Sequence, residues 1–149
     1  MTKDNALSLE DARFLRAFEA SELTPATFRH REHLRLAYIY LTIHPFETAL
    51  QTMRSRLQTF LAHLGAPPTA YHETMTRAWL LAVDHFMRRT GAQRSSEDFL
   101  AASPALLDKD VIYTHYTPER LKSSAAREGF VEPDLEPIPR YTRERPTGA

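Results

Sequence analysis

Three histidines are the residues of this sequence whose types and spacing could do chemistry. His30 and His33 are one helical turn apart, and His72 follows in a later segment that also has helical character. Because residues three apart share a helix face, the first two imidazoles could converge on one point. Three neutral imidazoles leave coordination positions open for water and substrate, which suits catalytic zinc and also iron, nickel or copper. We therefore expect His30, His33 and His72 to be candidate metal ligands.

Other side chains could complete this site or act in it without a metal. Glu32, Glu73 and His115 could support a metal shell, although helical periodicity turns Glu73 toward solvent. Without a metal, the histidines could bind a small polar ligand or serve as acid and base. Their neighbours would then be Tyr38, Tyr71, Thr76 and Trp79. A third interpretation is structural, because buried histidines often hydrogen-bond to backbone carbonyls and do nothing more.

Two predicted helices must bring these residues together. Apolar residues at helical spacing predict one helix over about 27–43 and another over about 69–90. His30 and His33 share the face that carries the apolar stripe of the first, and His72 falls on the apolar face of the other. The pocket is therefore expected between these two helices, the second and the fourth of the chain.

The remaining pattern predicts an all-α fold, an irregular helical bundle. Helices over about 8–20 and 45–64 complete four main helices, and the wide apolar stripe of the third should pack centrally. Beyond the fourth helix, serine and proline signals predict only short helices, followed by an extended proline-rich segment across the surface. Residues 1–139 are predicted to form a single domain, and residues 140–149 a disordered tail.

Composition limits the chemistry open to the chain. The 149 residues include no cysteine, which excludes disulfides, thiolate metal sites and cysteine nucleophiles. Lys plus Arg and Asp plus Glu number 19 each, so no net charge draws the protein to nucleic acid or acidic membranes. No signal peptide or membrane-spanning stretch is legible, and a cytoplasmic location is expected. A homodimer is compatible with the sequence, although no heptad run predicts one.

Four segments of the chain combine in a recognisable way. They read F-x-H-x-x-H-L-x-x-A, Y-H-x-T-x-T, Y-[ST]-x-x-x-L-x-S-x-x-A-R and E-P-D-L-x-P, and they lie at residues 28–37, 71–76, 116–127 and 132–137. Together they resemble a family of small bacterial helical proteins, over about residues 28–139. That resemblance implies a bacterial source and brings no activity with it. It adds Tyr116 and Arg127 as candidates for the same pocket.

From these residues we predict a small-molecule enzyme, dependent on a divalent metal if the histidines hold zinc, iron, nickel or copper. Its catalytic groups would come from His30, His33, His72, Thr76, Tyr116 and Arg127. The alternative is a non-catalytic module that binds a ligand or another protein and keeps its histidines in the core. An interaction module should expose an apolar patch, and Phe130 and Leu135 mark the place to look.

Overall fold

The four longest helices form where apolar residues recur at helical spacing. A computed structural model describes residues 7–139, and the expected disordered tail at residues 140–149 lies outside them. The described part contains seven α-helices and no strand, which confirms the all-α fold. They are α1 (Leu9–Glu19), α2 (His30–Ile43), α3 (Phe46–His63), α4 (Glu73–Thr90), α5 (Ser96–Ala102), α6 (Pro118–Lys122) and α7 (Ser124–Glu128). Within residues 7–139, no helix has the length and apolar character needed to cross a membrane.

Helix α2 begins at His30, later than the predicted start near residue 27. Pro25–Thr27 form a separate 3-10 turn, because proline at the first position suits either kind of helix. Glu32 then accepts a hydrogen bond from the backbone N–H of Arg29 at 2.8 Å. This carboxylate therefore caps the helix, and both cavity-facing histidines of α2 lie in its first turn.

Helix α4 begins at Glu73, so the predicted start at residue 69 was wrong. Pro68–Ala70 form a 3-10 turn, and His72 follows in an extended conformation. The Nδ1 atom of His72 accepts a hydrogen bond from the backbone N–H of Met75 at 3.1 Å. His72 is therefore the N-cap of α4 and does not lie on a face of that helix.

Helix α2 is the centre of the bundle, where α3 had been expected. It packs against α1, α3, α4 and α5. Ile39 is fully buried, because these neighbours cover the C-terminal half of α2 all round. The residues of α2 in the core are Leu34, Leu36, Ala37, Tyr38, Ile39, Tyr40 and Ile43. Helix α3 adds its predicted stripe, namely Ala49, Leu50, Met53, Leu57 and Phe60.

A buried carboxylate joins three helices, α1, α2 and α5. Asp11 of α1 accepts hydrogen bonds from the backbone N–H of Ser96 at 2.7 Å and from its hydroxyl at 2.6 Å. Arg35 of α2 donates to the same carboxylate at 3.2 Å. These three hydrogen bonds pair the buried carboxylate of Asp11 with protein donors, as a buried charge requires. This cluster is therefore structural.

A second, smaller core forms against α4 and closes the C-terminal part of the chain. Its buried residues are Ala78, Leu81, Ile112, Tyr116, Leu121 and Ile138. Ile138 comes from the proline-rich segment, which runs without helix as predicted. The backbone N–H groups of Leu135 and Glu136 donate to the carbonyls of His115 and Thr114 at 3.0 and 3.3 Å. These bonds hold the segment across the surface of the domain.

Candidate functional site

A cavity of about 490 Å³ lies between the starts of α2 and α4 and the C-terminal half of α3. His30 and His33 line it from α2, and His72 and Thr76 line it from the start of α4. Its volume falls within the ~300–1,000 Å³ typical of small-molecule sites. Apolar side chains form most of the wall: Phe28, Met53, Leu57, Phe60, Leu61 and Trp79. The structure thus brings the three predicted histidines to one cavity.

His72 has both of its ring nitrogens engaged. Nδ1 accepts from Met75, and Nε2 donates to the carbonyl of Leu121 in α6 at 2.8 Å. Because a carbonyl can only accept, the proton of the neutral ring lies on Nε2. Burial lowers the pKa of His72 and favours this neutral form. A metal ion could bind His72 only if one of these hydrogen bonds broke, so its contacts are those of a structural link between α4 and α6.

His30 has one ring nitrogen engaged. Its Nε2 donates to the carbonyl of Leu106 at 2.9 Å, which ties α2 to the 3-10 turn at Pro104–Leu107. The ring packs edge-on against Trp79, with 4.6 Å between the ring centroids. These two contacts fix the orientation of the imidazole. Its Nδ1 is left for a second partner.

His33 is the histidine whose ring remains open to the cavity. Burial, with a smaller repulsion from His30, lowers its pKa from 6.5 to about 4, and the carboxylate of Glu32 only partly opposes this change. The ring packs on Phe28 at 4.3 Å between centroids. No hydrogen bond joins it to another residue within 7–139. His33 therefore offers a ligand one N–H donor and one nitrogen lone pair in an apolar wall.

Two residues proposed for the pocket lie elsewhere. Tyr116 is fully buried in the second core, and its hydroxyl donates to the carbonyl of Val131 at 2.7 Å. Arg127 donates to the carbonyl of Thr69 at 2.7 Å and supports the turn before α4 from outside the cavity. Both expectations were wrong, because the C-terminal helices pack against the outer side of α4. Thr76 does line the cavity, but its hydroxyl donates to the carbonyl of His72 at 2.9 Å.

Glu73 was expected to face solvent and is buried instead. It accepts hydrogen bonds from Nε of Arg54 at 2.8 Å and from the hydroxyl of Tyr71 at 2.7 Å. Burial alone would raise the pKa of Glu73, but these hydrogen bonds outweigh it and lower the pKa. The prediction was wrong because Arg54 of α3 covers this side of α4. Glu73 thus holds Tyr71 at the cavity wall, and its carboxylate is not placed to coordinate a metal ion there.

The remaining residues suggested for a metal shell or for the pocket also have structural partners. Glu32 caps α2, and Nδ1 of His115 donates to the carbonyl of Glu136 at 2.7 Å. Tyr38 stacks on Phe99, away from the cavity, with 4.9 Å between the ring centroids. Within residues 7–139, no three His, Asp or Glu side chains are grouped closely enough to hold a metal ion.

Sequence reasoning missed two contributions to the cavity. The last turns of α3 supply Leu57, Phe60 and Leu61, a continuation of the apolar stripe that could have indicated a second wall. Lys109, at the start of the 3-10 turn Lys109–Thr114, also lines the cavity. Nothing in the sequence pattern marks Lys109, because its position depends on contacts far along the chain.

Three parts of the chain build the cavity. The N-terminal turn of α2, the cap of α4 and the end of α3 together form an apolar site with one open imidazole. No protein-family model, no curated protein and no solved structure matches the chain.

Proposed function

We propose that the protein binds a small, mainly apolar molecule in this cavity, with His33 as its polar contact. One observation carries the proposal, namely an imidazole with no hydrogen-bond partner in the described chain, set into a wall of aromatic and aliphatic side chains. Ligand sites typically combine an apolar wall with a few polar groups that orient the ligand. A polar ring set in an apolar wall is stabilised when a ligand supplies the hydrogen bond that the protein does not.

The state of His33 supports binding more than proton transfer. A general base works best when its pKa lies near the operating pH. With a pKa of about 4, His33 stays neutral near pH 7 and accepts a proton poorly. It can still donate and accept hydrogen bonds, so it suits a hydroxyl, carbonyl or carboxylate group on a ligand.

Binding can be tested with the single tryptophan of the chain. Trp79 lines the cavity, so a neutral fluorescent probe such as N-phenyl-1-naphthylamine should accept excitation energy from it when bound. Ala70→Phe adds a ring at an exposed position on the cavity wall and should weaken probe binding. Ala101→Phe adds the same ring at an exposed position on α5, outside the cavity, and should not. Equal binding by both variants, or no binding by the unmodified protein, would contradict the proposal.

A metal-dependent enzyme is the second candidate. Its support is that His30 and His33 lie one turn apart at the same cavity, so two imidazole nitrogens could share a divalent ion. With His72 engaged, water or substrate would have to supply the other ligands. Elemental analysis of untagged protein should then show near-stoichiometric metal that a His30→Ala, His33→Ala double variant loses. Absence of metal after incubation with zinc or iron would overturn this candidate.

The proposal includes the partners and location expected from the sequence. A small molecule is the proposed partner, and neither nucleic acid nor a membrane surface is. The even balance of 19 basic and 19 acidic residues supports this choice, because no net field attracts polyanions. A cytoplasmic location, a bacterial source and a homodimer remain parts of the proposal.

A further inference from the structure

The charge at the cavity wall indicates which class of ligand the site takes. Building on the proposed binding function, we propose that the ligand is a small carboxylic acid with an apolar body. Its carboxylate would lie beside Lys109 at the edge of the cavity, and its body would lie among the aromatic rings of the wall, with any hydroxyl or carbonyl group on that body facing His33.

Lys109 is the charged residue of the wall. In the described part of the chain, no aspartate or glutamate lines the cavity, and the other titratable lining residues are the histidines and Tyr71. Asp108 and Asp110 flank Lys109 along the chain, but neither lines the cavity. One carboxylate oxygen of Asp108 accepts from the backbone N–H of Asp110 at 3.0 Å. Among residues 7–139, Lys109 is therefore the one lysine, arginine or carboxylate residue of the wall.

A cavity histidine holds the segment that carries this charge. The hydrogen bond from His30 to the carbonyl of Leu106 fixes the turn at Pro104–Leu107, and Asp108 then caps the next turn. Lys109 is the first residue of that turn. Packing of His30 against Trp79 keeps the donor in place. The backbone position of Lys109 thus depends on His30 and Trp79, which both line the cavity.

The position of the charge suits an acid with a head and an apolar body. Burying a carboxylate among aromatic rings carries a large desolvation penalty unless it is paired. Lys109 is exposed, so a carboxylate beside it keeps much of its water while the body displaces water from Phe28, Phe60 and Trp79. A cationic ligand would find no carboxylate in the part of the wall that residues 7–139 form. The ion pair would contribute more to selectivity than to affinity, since exposed pairs are weak.

Three eight-carbon compounds have similar apolar bodies and differ in the charge of their polar group, so they separate the contribution of charge from that of the apolar body. Octanoate, 1-octanol and octylamine would each be titrated against the bound neutral probe, with the unmodified protein, Lys109→Met and Lys122→Met. Lys122 is exposed on α6 and does not line the cavity, so it serves as the matched control. We expect Lys109→Met to reduce the affinity ratio of octanoate to octanol by roughly two- to fivefold, the size of an exposed ion pair. Lys122→Met should leave the ratio unchanged, and salt should reduce it in the unmodified protein.

Charge reversal provides the stronger test. Lys109→Glu should lower the affinity for octanoate further and raise that for octylamine, while octanol keeps its affinity. If Lys109→Met and Lys109→Glu leave the octanoate-to-octanol ratio unchanged, the carboxylate inference is overturned. Octanol would still displace the probe in that case, so binding in the cavity would stand. If neither the probe nor any of the three compounds binds, the proposed function fails together with the inference.

Discussion

The fold holds His33 in its neutral state. Burial and the nearby His30 lower the pKa from 6.5 to about 4. Between these two values the unfolded chain binds a proton that the native protein does not. The free energy of unfolding therefore falls as the pH falls through this window. Well above pH 6.5, the ring is neutral in both states, and His33 contributes nothing to the pH dependence of stability.

We expect His33→Gln to remove part of this pH dependence. A tenfold change in a protonation equilibrium is worth about 1.4 kcal/mol, so the loss of stability between pH 7 and about pH 4.5 should be smaller in the variant by about 2–3 kcal/mol. Urea unfolding at the two pH values measures this difference. His63→Gln, at an exposed position in the last turn of α3, should behave like the unmodified protein. An unchanged pH dependence in His33→Gln would show that the native ring takes up protons freely.

Sequence spacing indicated which histidines meet, but not what each one does. Helical periodicity was enough to place His30 and His33 on one turn facing the core. Their different roles depend on hydrogen-bond partners such as the carbonyls of Leu106 and Leu121, which are 76 and 49 residues away from the histidines they bind. Periodicity is a local property and reports no contact at that separation. Metal binding, catalysis and the bacterial family resemblance stay predictions.

At the scale of helices, one side chain joins α4 to α6. His72→Ala would remove its two hydrogen bonds, leaving the N–H of Met75 and the carbonyl of Leu121 without this partner. We expect a loss of about 1–3 kcal/mol in the free energy of unfolding. His72→Asn keeps a good capping group, although its side chain is too short to reach Leu121. Its loss of stability should therefore be about 1 kcal/mol smaller than that of His72→Ala.

Denaturant unfolding of the two His72 variants separates the cap from the link between helices. His63→Ala, which changes an exposed histidine, provides the control and should alter stability by less than about 0.5 kcal/mol. If His72→Ala and His72→Asn are equally destabilised, the capping bond contributes nothing measurable. If neither differs from the control, His72 has no structural role in solution.

The helices themselves were predictable, whereas their starts and neighbours were less so. The apolar stripe of α3 is long and regular, and the structure contains this helix close to its predicted bounds. The predicted starts of α2 and α4 were too early, because Pro25–Thr27 and Pro68–Ala70 form 3-10 turns ahead of these helices. A stripe also shows which face is apolar and not how many neighbours cover it. For this reason the central position of α2 was missed.

At the scale of the whole molecule, the proline-rich segment closes the second core. Ile138 is 6% exposed there, whereas Leu135 of the same segment is 50% exposed. We expect Ile138→Ala to lower the free energy of unfolding by about 2–4 kcal/mol, and Leu135→Ala by less than about 0.5 kcal/mol. Urea unfolding of both variants tests this. Two equally small effects would show that the segment does not pack against the domain in solution.

The same segment bears on the alternative of a protein-interaction module. Phe130, one of the two residues expected in an exposed patch, is partly buried and lies under the guanidinium of Arg77 at 4.8 Å. Leu135 is exposed, but a single exposed leucine is ordinary on a protein surface. The cavity therefore offers a better-defined binding site than this surface does.

Two of the cavity histidines also hold the region of residues 104–139 in place. His30 bonds to Leu106 and His72 to Leu121, so a ligand would touch the inner side of the same rings that secure this region. If the docked position of this region tightens ligand binding, then by thermodynamic reciprocity a bound ligand stabilises the docked position by the same free energy. A filled cavity is therefore expected to slow proteolytic cleavage within residues 104–139. The rate of cleavage in this region would then report whether the cavity is occupied.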